Sequence, residues 1–284
     1  MIKHQSVALF EALSREVAPL FEHYRSRLGD LSVGVKSDRS FVSAADTEIE
    51  SLIVGLICAH DPSARILAEE ATNPQLRSSA DHIWVVDPID GTSEFLKAGA
   101  REFCSTVALI EKGVPTACWV LAPEMGRDGT PVEIRLYDIE DGPYVNGVKS
   151  DLPALRSGRR SASATRSASA EPRDFERKLL DAGVRLKTRT TSQTLDQVRV
   201  ACDITRWCDA THFDWFFRQD QKLWDGAAGM ALALAQDLAV VDATGDSLIP
   251  MASSVLADQT PVNESVLICA PAALAHLAPI VAGR

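Results

Sequence analysis

The sequence lacks an excess of basic residues: 29 lysines and arginines stand against 39 aspartates and glutamates, a formal net charge of −10. Non-specific binding to nucleic acid polymers depends on cationic side chains that displace counterions from the phosphates, so this composition argues against that class. An acidic protein that binds a phosphate needs positive charge concentrated at its binding site. Bound metal ions would supply that charge.

The sequence also has no Cys-x-x-Cys pair and no histidine-rich tract among its six cysteines and six histidines, so a zinc site is not expected. No Ser-His-Asp pattern stands out either. Five cysteines lie in apolar runs and are interpreted as buried thiols. They are Cys58, Cys104, Cys118, Cys202 and Cys269.

Long hydrophobic runs are missing as well. No apolar stretch could cross a bilayer, and Met1–His4 leads into an amphipathic pattern rather than a signal peptide. We therefore expect no membrane partner and a cytoplasmic location. A chain of 284 residues with 46% hydrophobic and 24% charged residues is an ordinary globular composition, enough for one large domain or two halves.

The stretch from His82 to Phe95 is the most informative part of the chain. The apolar run Ile83–Val86 is typical of a buried strand, and it is followed by Asp-Pro-Ile-Asp-Gly-Thr over Asp87–Thr92. Two carboxylates three residues apart on a stiff turn can converge on one point, as a hard cation such as Mg²⁺ requires. Thr92–Lys97 resembles a helix start, whose free amides suit an anion. A turn with solvated carboxylates is the alternative.

Four other acidic residues, at three places in the chain, allow two interpretations each. Asp46 follows Ser43 at capping-box spacing, so it is either a helix-terminus charge or part of a site. Glu69 and Glu70 follow the short strand Arg65–Ala68; two adjacent glutamates usually lie in a solvated loop, but the position at a strand end before the Asp87 strand favours metal ligands. Asp225 opens a helix rich in small residues and is either an N-cap or a metal ligand.

Taken together, these pieces resemble the signature of the inositol monophosphatase superfamily of Mg²⁺-dependent, Li⁺-sensitive phosphatases. Asp46, Glu69–Glu70, the Asp87–Phe95 motif and Trp224–Gly229 occur in the order that this superfamily shows. Within it, Lys36–Asp38 and Glu94–Lys97 are most similar to the CysQ-type 3'(2'),5'-bisphosphate nucleotidases.

The resemblance implies an α+β fold, a layered α-β-α-β-α sandwich of the inositol monophosphatase/fructose-1,6-bisphosphatase type. Ser157–Ala170 is rich in Ser, Ala, Arg and Gly and has the composition of a flexible linker. The resemblance implies something else at its centre, because the family ends a strand on an Arg-Ser pair and Arg166-Ser167 fits that pair. We place the junction before it. Residues 1–153 would carry most metal ligands, and residues 154–284 would carry Asp225 and the substrate pocket, in a monomer or homodimer.

The resemblance also implies the composition of a metal site. Two or three Mg²⁺ ions would be held by carboxylates and one backbone carbonyl, and Glu70 would orient ligands or waters. The ligands implied are Glu69, Asp87, the carbonyl of Ile89, Asp90 and Asp225.

Catalytic and substrate-binding roles follow from the same resemblance. Thr92, oriented by Asp46, would take the proton of the attacking water, and Glu69 would act with them. The substrate would be bound by the amides of Gly91 and Thr92 and by the side chains of Lys36, Arg166 and Asp196.

The segment Thr190–Gln197 departs from the small residues of the family. Asp196, if it faces the pocket, would oppose a second phosphate on the substrate unless Lys36, Arg166 or Arg189 offsets its charge. The sequence predicts a Mg²⁺-dependent phosphomonoesterase that acts on a small phosphate ester. The first choice of substrate is adenosine 3',5'-bisphosphate. The alternatives are an inositol- or sugar-phosphate phosphatase and a catalytically weak binding or regulatory relative.

Overall fold

The computed structural model describes residues 2–35, 41–63, 65–70, 82–153, 160–166, 171–257 and 262–283. Eight α-helices lie in these residues: α1 Ile2–Arg25, α2 Ala44–His60, α3 Thr92–Phe95, α4 Asp174–Asp181, α5 Gln193–Ala201, α6 Leu223–Leu234, α7 Ser253–Ala257 and α8 Leu274–Val281. Lys36, one of the expected substrate contacts, lies outside the described residues.

The same residues form fourteen strands: β1 Val33–Val35, β2 Phe41–Ser43, β3 Arg65–Ala68, β4 His82–Asp90, β5 Cys104–Glu111, β6 Val114–Ala122, β7 Val132–Leu136, β8 Tyr144–Val145, β9 Val148–Lys149, β10 Ser161–Arg166, β11 Arg185–Arg189, β12 Trp215–Lys222, β13 Ala239–Val241 and β14 Val262–Cys269. They build a seven-stranded sheet in the order β3-β4-β5-β6-β7-β8-β9, a five-stranded sheet in the order β11-β10-β12-β14-β13, and the β1–β2 hairpin.

Side-chain alternation along the strands explains how the layers stack. In β4, Trp84 and Val86 pack with α1 and α2, whereas Ile83 and Val85 belong to a second core shared with α5 and α6. Both faces of the strand are therefore buried, which is why its sequence is an apolar run rather than an alternating one.

The five-stranded sheet closes the stack in the same way. Phe216 of β12 packs in the core that contains α5 and α6, while its neighbour Phe217 packs on the far face with α4 and α8. The order of layers is helices, sheet, helices, sheet, helices. The predicted layered α+β sandwich is confirmed.

The helices α5 and α6 form the middle layer and are almost completely buried. They approach closely: a Cβ atom on Gly229 of α6 would lie 1.5 Å from Oε1 of Gln197 in α5. This close approach explains the small residues of the Trp224–Gly229 segment.

The helix α1 contains Pro19, and no described helix is long and apolar enough to cross a membrane. Cys58 is half-buried while the other four cysteines named above are buried. The linker interpretation is wrong for Ser161–Arg166, which is β10, with four consecutive buried residues; Arg166 ends that strand.

Candidate metal centre and active site

Three aspartates from two elements meet between the layers. Asp87 and Asp90 lie in β4, Asp225 lies in the first turn of α6, and one carboxylate oxygen of each lies within 4.8 Å of the others. Side chains three apart in a regular strand point to opposite faces. The pairing of β4 with β5 shifts register between Asp87 and Asp90, which lets both carboxylates reach the same cluster.

The cluster is only partly compensated, by the charge of Arg218 at Asp225 and by hydrogen bonds at Asp90. Burial, followed by the charges of Glu69, Asp90 and Asp225, raises the pKa of Asp87 well above its ordinary value. Burial and the charges of Asp90 and Glu69 do the same to the pKa of Asp225. Both carboxylate oxygens of Asp87 are buried without a hydrogen-bond donor among the described residues. A divalent cation, which oxygen ligands suit, fits this cluster.

The start of α5 holds Asp90 in place. Ser192, the N-cap of α5, donates its hydroxyl to Oδ2 of Asp90 at 2.7 Å, and the amide of Thr194 donates to the same oxygen at 2.7 Å. The amide of Gln193 donates to Oδ1 at 3.2 Å. Burial raises the pKa of Asp90 to about 6, although these hydrogen bonds oppose the rise. The free amides of this helix are therefore already used by a metal-ligand candidate.

Asp225 is held by an amide side chain from the segment Thr190–Gln197, which departs from the small residues of the family. Gln193 Nε2 donates to Asp225 Oδ2 at 2.7 Å, and Gln193 Oε1 accepts from Gln221 Nε2 at 3.0 Å. The family comparison made in the sequence drew attention to this segment, but the pairing with Gln221 of β12 had no sequence signal.

Glu69 and Glu70 follow β3, at the edge where Asp87 lies. The backbone amide of Glu69 donates to the carbonyl of Val86 at 3.2 Å, and the charge of Glu69 raises the pKa of Asp87 and Asp225. Glu69 is beside the three aspartates rather than one of the group within 4.8 Å. The amide of Glu70 donates to Glu50 Oε2 at 2.8 Å, which fixes this strand end against α2.

Thr92 and Asp46 are in contact. The Thr92 hydroxyl lies 3.1 Å from Oδ1 of Asp46 and 3.1 Å from the carbonyl of Ile89. The other oxygen of Asp46 accepts from the amide and hydroxyl of Ser43 at 2.8 and 2.6 Å, so the capping box is formed. Burial raises the pKa of Asp46 despite these hydrogen bonds. Asp46 is thus both a helix cap and a partner of Thr92.

Gly91 joins β4 to α3 with a left-handed conformation, φ +96°. A Cβ atom there would lie 2.8 Å from the carbonyl oxygen of Thr191 and 3.1 Å from that of Glu102. Only glycine satisfies both the backbone angle and the close approach of the two backbones.

Asp196 does not face a substrate pocket. It is 0% exposed, and its carboxylate accepts from Lys187 Nζ at 2.6 Å and Ser163 Oγ at 2.8 Å, with Arg199 Nη1 at 3.5 Å. Burial raises its pKa, against the charges of Lys187 and Arg199. The expectation of Asp196 as a substrate contact is corrected: its charge is compensated inside the protein.

The same cations bind Glu102 of the N-terminal half. Lys187 Nζ lies 3.0 Å from Glu102, Thr191 donates its hydroxyl to it at 2.7 Å, and Arg199 forms a further ion pair. Burial alone would raise the pKa of Glu102, but Arg199 and Lys187 lower it to about 2. Lys187 therefore links Glu102 to Asp196, and it also donates to Thr191 Oγ1 at 2.6 Å.

We expect Lys187→Met to lower the free energy of unfolding by about 3 kcal/mol, because the buried carboxylate of Asp196 loses its nearest cation. Urea unfolding at pH 7 measures this change. Lys178→Met, on the exposed face of α4, is the matched control and should stay within about 0.5 kcal/mol of the parent. Equal stabilities for the two variants would mean that the network contributes nothing.

The chain matches the inositol monophosphatase family over residues 4–274. It belongs to the inositol monophosphatase family. The Nus factor SuhB of Xylella fastidiosa is 28% identical over 235 residues, covering 80% of this chain and 78% of that protein. The 3'(2'),5'-bisphosphate nucleotidase CysQ of Escherichia coli is 34% identical over 113 residues, 39% of this chain and 46% of that protein.

The solved structures agree on the fold of this inositol monophosphatase family member. A crystal structure of an IMPase/NADP phosphatase complexed with Mg²⁺ and phosphate superposes with a TM-score of 0.76 at 20% identity, covering 99% of this chain and 96% of that chain. Membership of the family makes the protein a phosphomonoesterase.

Proposed function

We propose that this protein is a Mg²⁺-dependent 3'(2'),5'-bisphosphate nucleotidase that converts adenosine 3',5'-bisphosphate to AMP and phosphate. The observation that carries the metal dependence is the buried cluster of Asp87, Asp90 and Asp225, in which the oxygens of Asp87 have no donor among the described residues. Glu69 and the carbonyl of Ile89 would complete the ligand set. Bound cations would neutralise the phosphate and acidify the attacking water.

The chain's own groups provide a path for the proton. As the phosphorus–oxygen bond to the leaving group breaks and one to water forms, the leaving oxygen takes a proton from solvent and departs as a hydroxyl. The proton of the attacking water passes to Thr92 Oγ1. The hydroxyl proton of Thr92 moves along its hydrogen bond to Oδ1 of Asp46, 3.1 Å away. Glu70 would orient ligands or waters, and the amides of Gly91 and Thr92 would bind phosphate oxygens.

The choice of a bisphosphate is supported by the similarity to CysQ and by the position of Asp196. The sequence suggested that Asp196 would repel a second phosphate, and its pairing with Lys187 removes that objection. An inositol- or sugar-phosphate phosphatase is the second candidate, favoured by the Gln193 amide beside Asp225, which suits hydroxyl groups. The similarity to SuhB, a Nus factor, supports the regulatory alternative.

A phosphate-release assay with Mg²⁺ separates these functions. Adenosine 3',5'-bisphosphate, inositol 1-phosphate and a sugar phosphate are compared at equal concentration, with and without excess chelator. We expect the highest kcat/KM for the bisphosphate and no turnover in chelator. A preference for inositol phosphate would select the second candidate. Absence of turnover on all three substrates would select the regulatory alternative. Full turnover in excess chelator would exclude the metal mechanism.

A further inference from the structure

Arg218 lies at the edge of the site, although the sequence did not indicate it as a site residue. In β12 it follows Phe216 by two residues, so it continues the face that points into the core between the sheets. Its Nη1 donates to Thr190 Oγ1 at 2.9 Å. Thr190 directly precedes the Thr191–Thr194 segment, which holds Asp90. Three residues further along β12, Gln221 reaches Asp225 through Gln193.

Among the described residues Arg218 forms no direct ion pair and its Nε is buried without an acceptor, although the charges of Asp225, Asp220 and Asp90 act on its guanidinium. A half-buried guanidinium stays protonated, and it is costly to keep without an anion. The neighbouring arginines are paired: Arg166 and Arg173 share Glu176, and Arg189 pairs with Glu94.

These side chains form a cationic rim beside the acidic cluster. We define the rim as Arg166, Arg173, Arg189 and Arg218. Shared contacts connect it, because Thr190 donates to the carbonyl of Arg166 at 3.0 Å while accepting from Arg218. Glu176 pairs with Arg166 and Arg173, Glu94 pairs with Arg189 and with Lys97 at 2.6 Å, and the charges of Asp225, Asp220 and Asp90 act on Arg218. In a protein with a net charge of −10, four arginines gathered beside the aspartate cluster offer hydrogen-bond donors to an anion.

We propose that Arg218 binds a second anionic group, carried on the leaving group of the substrate, while the aspartate cluster and its cations bind the phosphate that is hydrolysed. The substrate class is a phosphate monoester whose leaving group carries a further phosphate or carboxylate. This inference rests on the proposed function, in which the group is the 5'-phosphate. The guanidinium suits it because its planar set of donors matches the oxygens of both anions.

Two matched substrate pairs test the inference. Adenosine 3',5'-bisphosphate is compared with adenosine 3'-phosphate, and 3-phosphoglycerate with glycerol 1-phosphate, so that each pair differs in one phosphate or one carboxylate. We expect Arg218→Gln to lower the ratio of kcat/KM within at least one pair by about tenfold or more, since a charge-assisted hydrogen bond is lost. The pair that responds identifies the anion. Arg218→Lys, which keeps the charge, should retain part of the preference.

Arg185→Gln is the control, because Arg185 is exposed at the opposite end of β11, and it should leave both ratios unchanged. Equal losses on both members of each pair, or no change in either ratio, would overturn the role of Arg218. Thermal unfolding of each variant identifies a loss of activity that comes from misfolding.

A binding measurement decides the question without turnover. Calorimetric titration of the metal-free protein with AMP and with adenosine measures the contribution of the 5'-phosphate to binding. Without metal ions, the negatively charged carboxylates offer no phosphate site at the cluster. We expect AMP to bind more tightly than adenosine, and Arg218→Gln to reduce this difference about tenfold. Equal affinities for AMP in parent and variant would overturn the inference. If neither substrate pair is hydrolysed, the proposed function fails, and this titration still decides the role of Arg218.

Discussion

Asp87→Asn is expected to lower phosphatase turnover by about 10³-fold or more while making the metal-free protein more resistant to unfolding. The loss of turnover follows because one ligand charge of the cation site disappears, and such sites supply several kcal/mol of transition-state stabilisation. The gain in stability follows because Asp87 has no hydrogen-bond donor among the described residues and is repelled by the charges of Glu69, Asp90 and Asp225.

The pH determines the size of the gain in stability. An aspartate in the unfolded chain has a pKa near 4, whereas burial raises the pKa of Asp87 and of Asp225, and brings that of Asp90 to about 6. The stabilisation from protonated folded-state carboxyls is present below about pH 4 and is lost as the pH rises through the raised pKa of each group, which is about 6 for Asp90. At pH 8 the contribution of Asp90 is lost, and the variant should unfold a few degrees higher than the parent.

Phosphate release measures the loss of turnover. Calorimetric melting at pH 8, with chelator and with Mg²⁺, measures the change in stability. The parent should be stabilised by Mg²⁺ and the variant should not. Asp237→Asn is the matched control, because this exposed aspartate has φ +55°, which asparagine tolerates. A variant that keeps near-parent turnover, or that melts lower without metal, would remove Asp87 from the ligand set.

Thr92→Ala is expected to lower kcat by about 10²- to 10⁴-fold, the range for loss of a positioned proton acceptor. The substitution removes the hydroxyl that lies 3.1 Å from Asp46 Oδ1. The capping box formed by Asp46 and Ser43 uses the other oxygen of Asp46, so α2 should keep its start. Mg²⁺ affinity should change little, because no metal-ligand candidate is removed.

Single-turnover rates at saturating Mg²⁺, together with the Mg²⁺-induced melting shift, separate the two effects. Thr92→Ser keeps the hydroxyl and should retain most of the activity. Normal kcat with poor Mg²⁺ affinity in Thr92→Ala would assign Thr92 a structural role instead.

The sequence revealed those parts of the site that are continuous in the chain. Asp87, Asp90 and Thr92 fall within six residues behind an apolar strand, so their convergence could be anticipated from strand and turn chemistry. Asp46 and Asp225 needed a family resemblance, because nothing in their own surroundings distinguishes a helix cap from a site residue.

The parts that were missed depend on contacts between distant segments. Asp196 was expected to face the substrate pocket because its partner Lys187 lies on another element, β11. No local sequence pattern indicates that these two residues pair. Strand β12 was not predicted, since its apolar start Trp215–Phe217 continues into polar residues. Arg218 and Gln221 are polar there because that end of the strand borders the acidic site instead of the core.

Contacts between residues before position 153 and residues after position 160 make the chain unsuitable for modular recombination. Glu102 pairs with Lys187 and Arg199, Glu94 pairs with Arg189, and the Asp90 carboxylate is bound by Ser192. A chimera joined near residue 153 to the second half of a relative would bring matching folds but mismatched charges directly under the Gly91 turn. Family members should therefore exchange these positions as sets, and a library that shuffles halves should yield active enzymes only where the whole set comes from one parent.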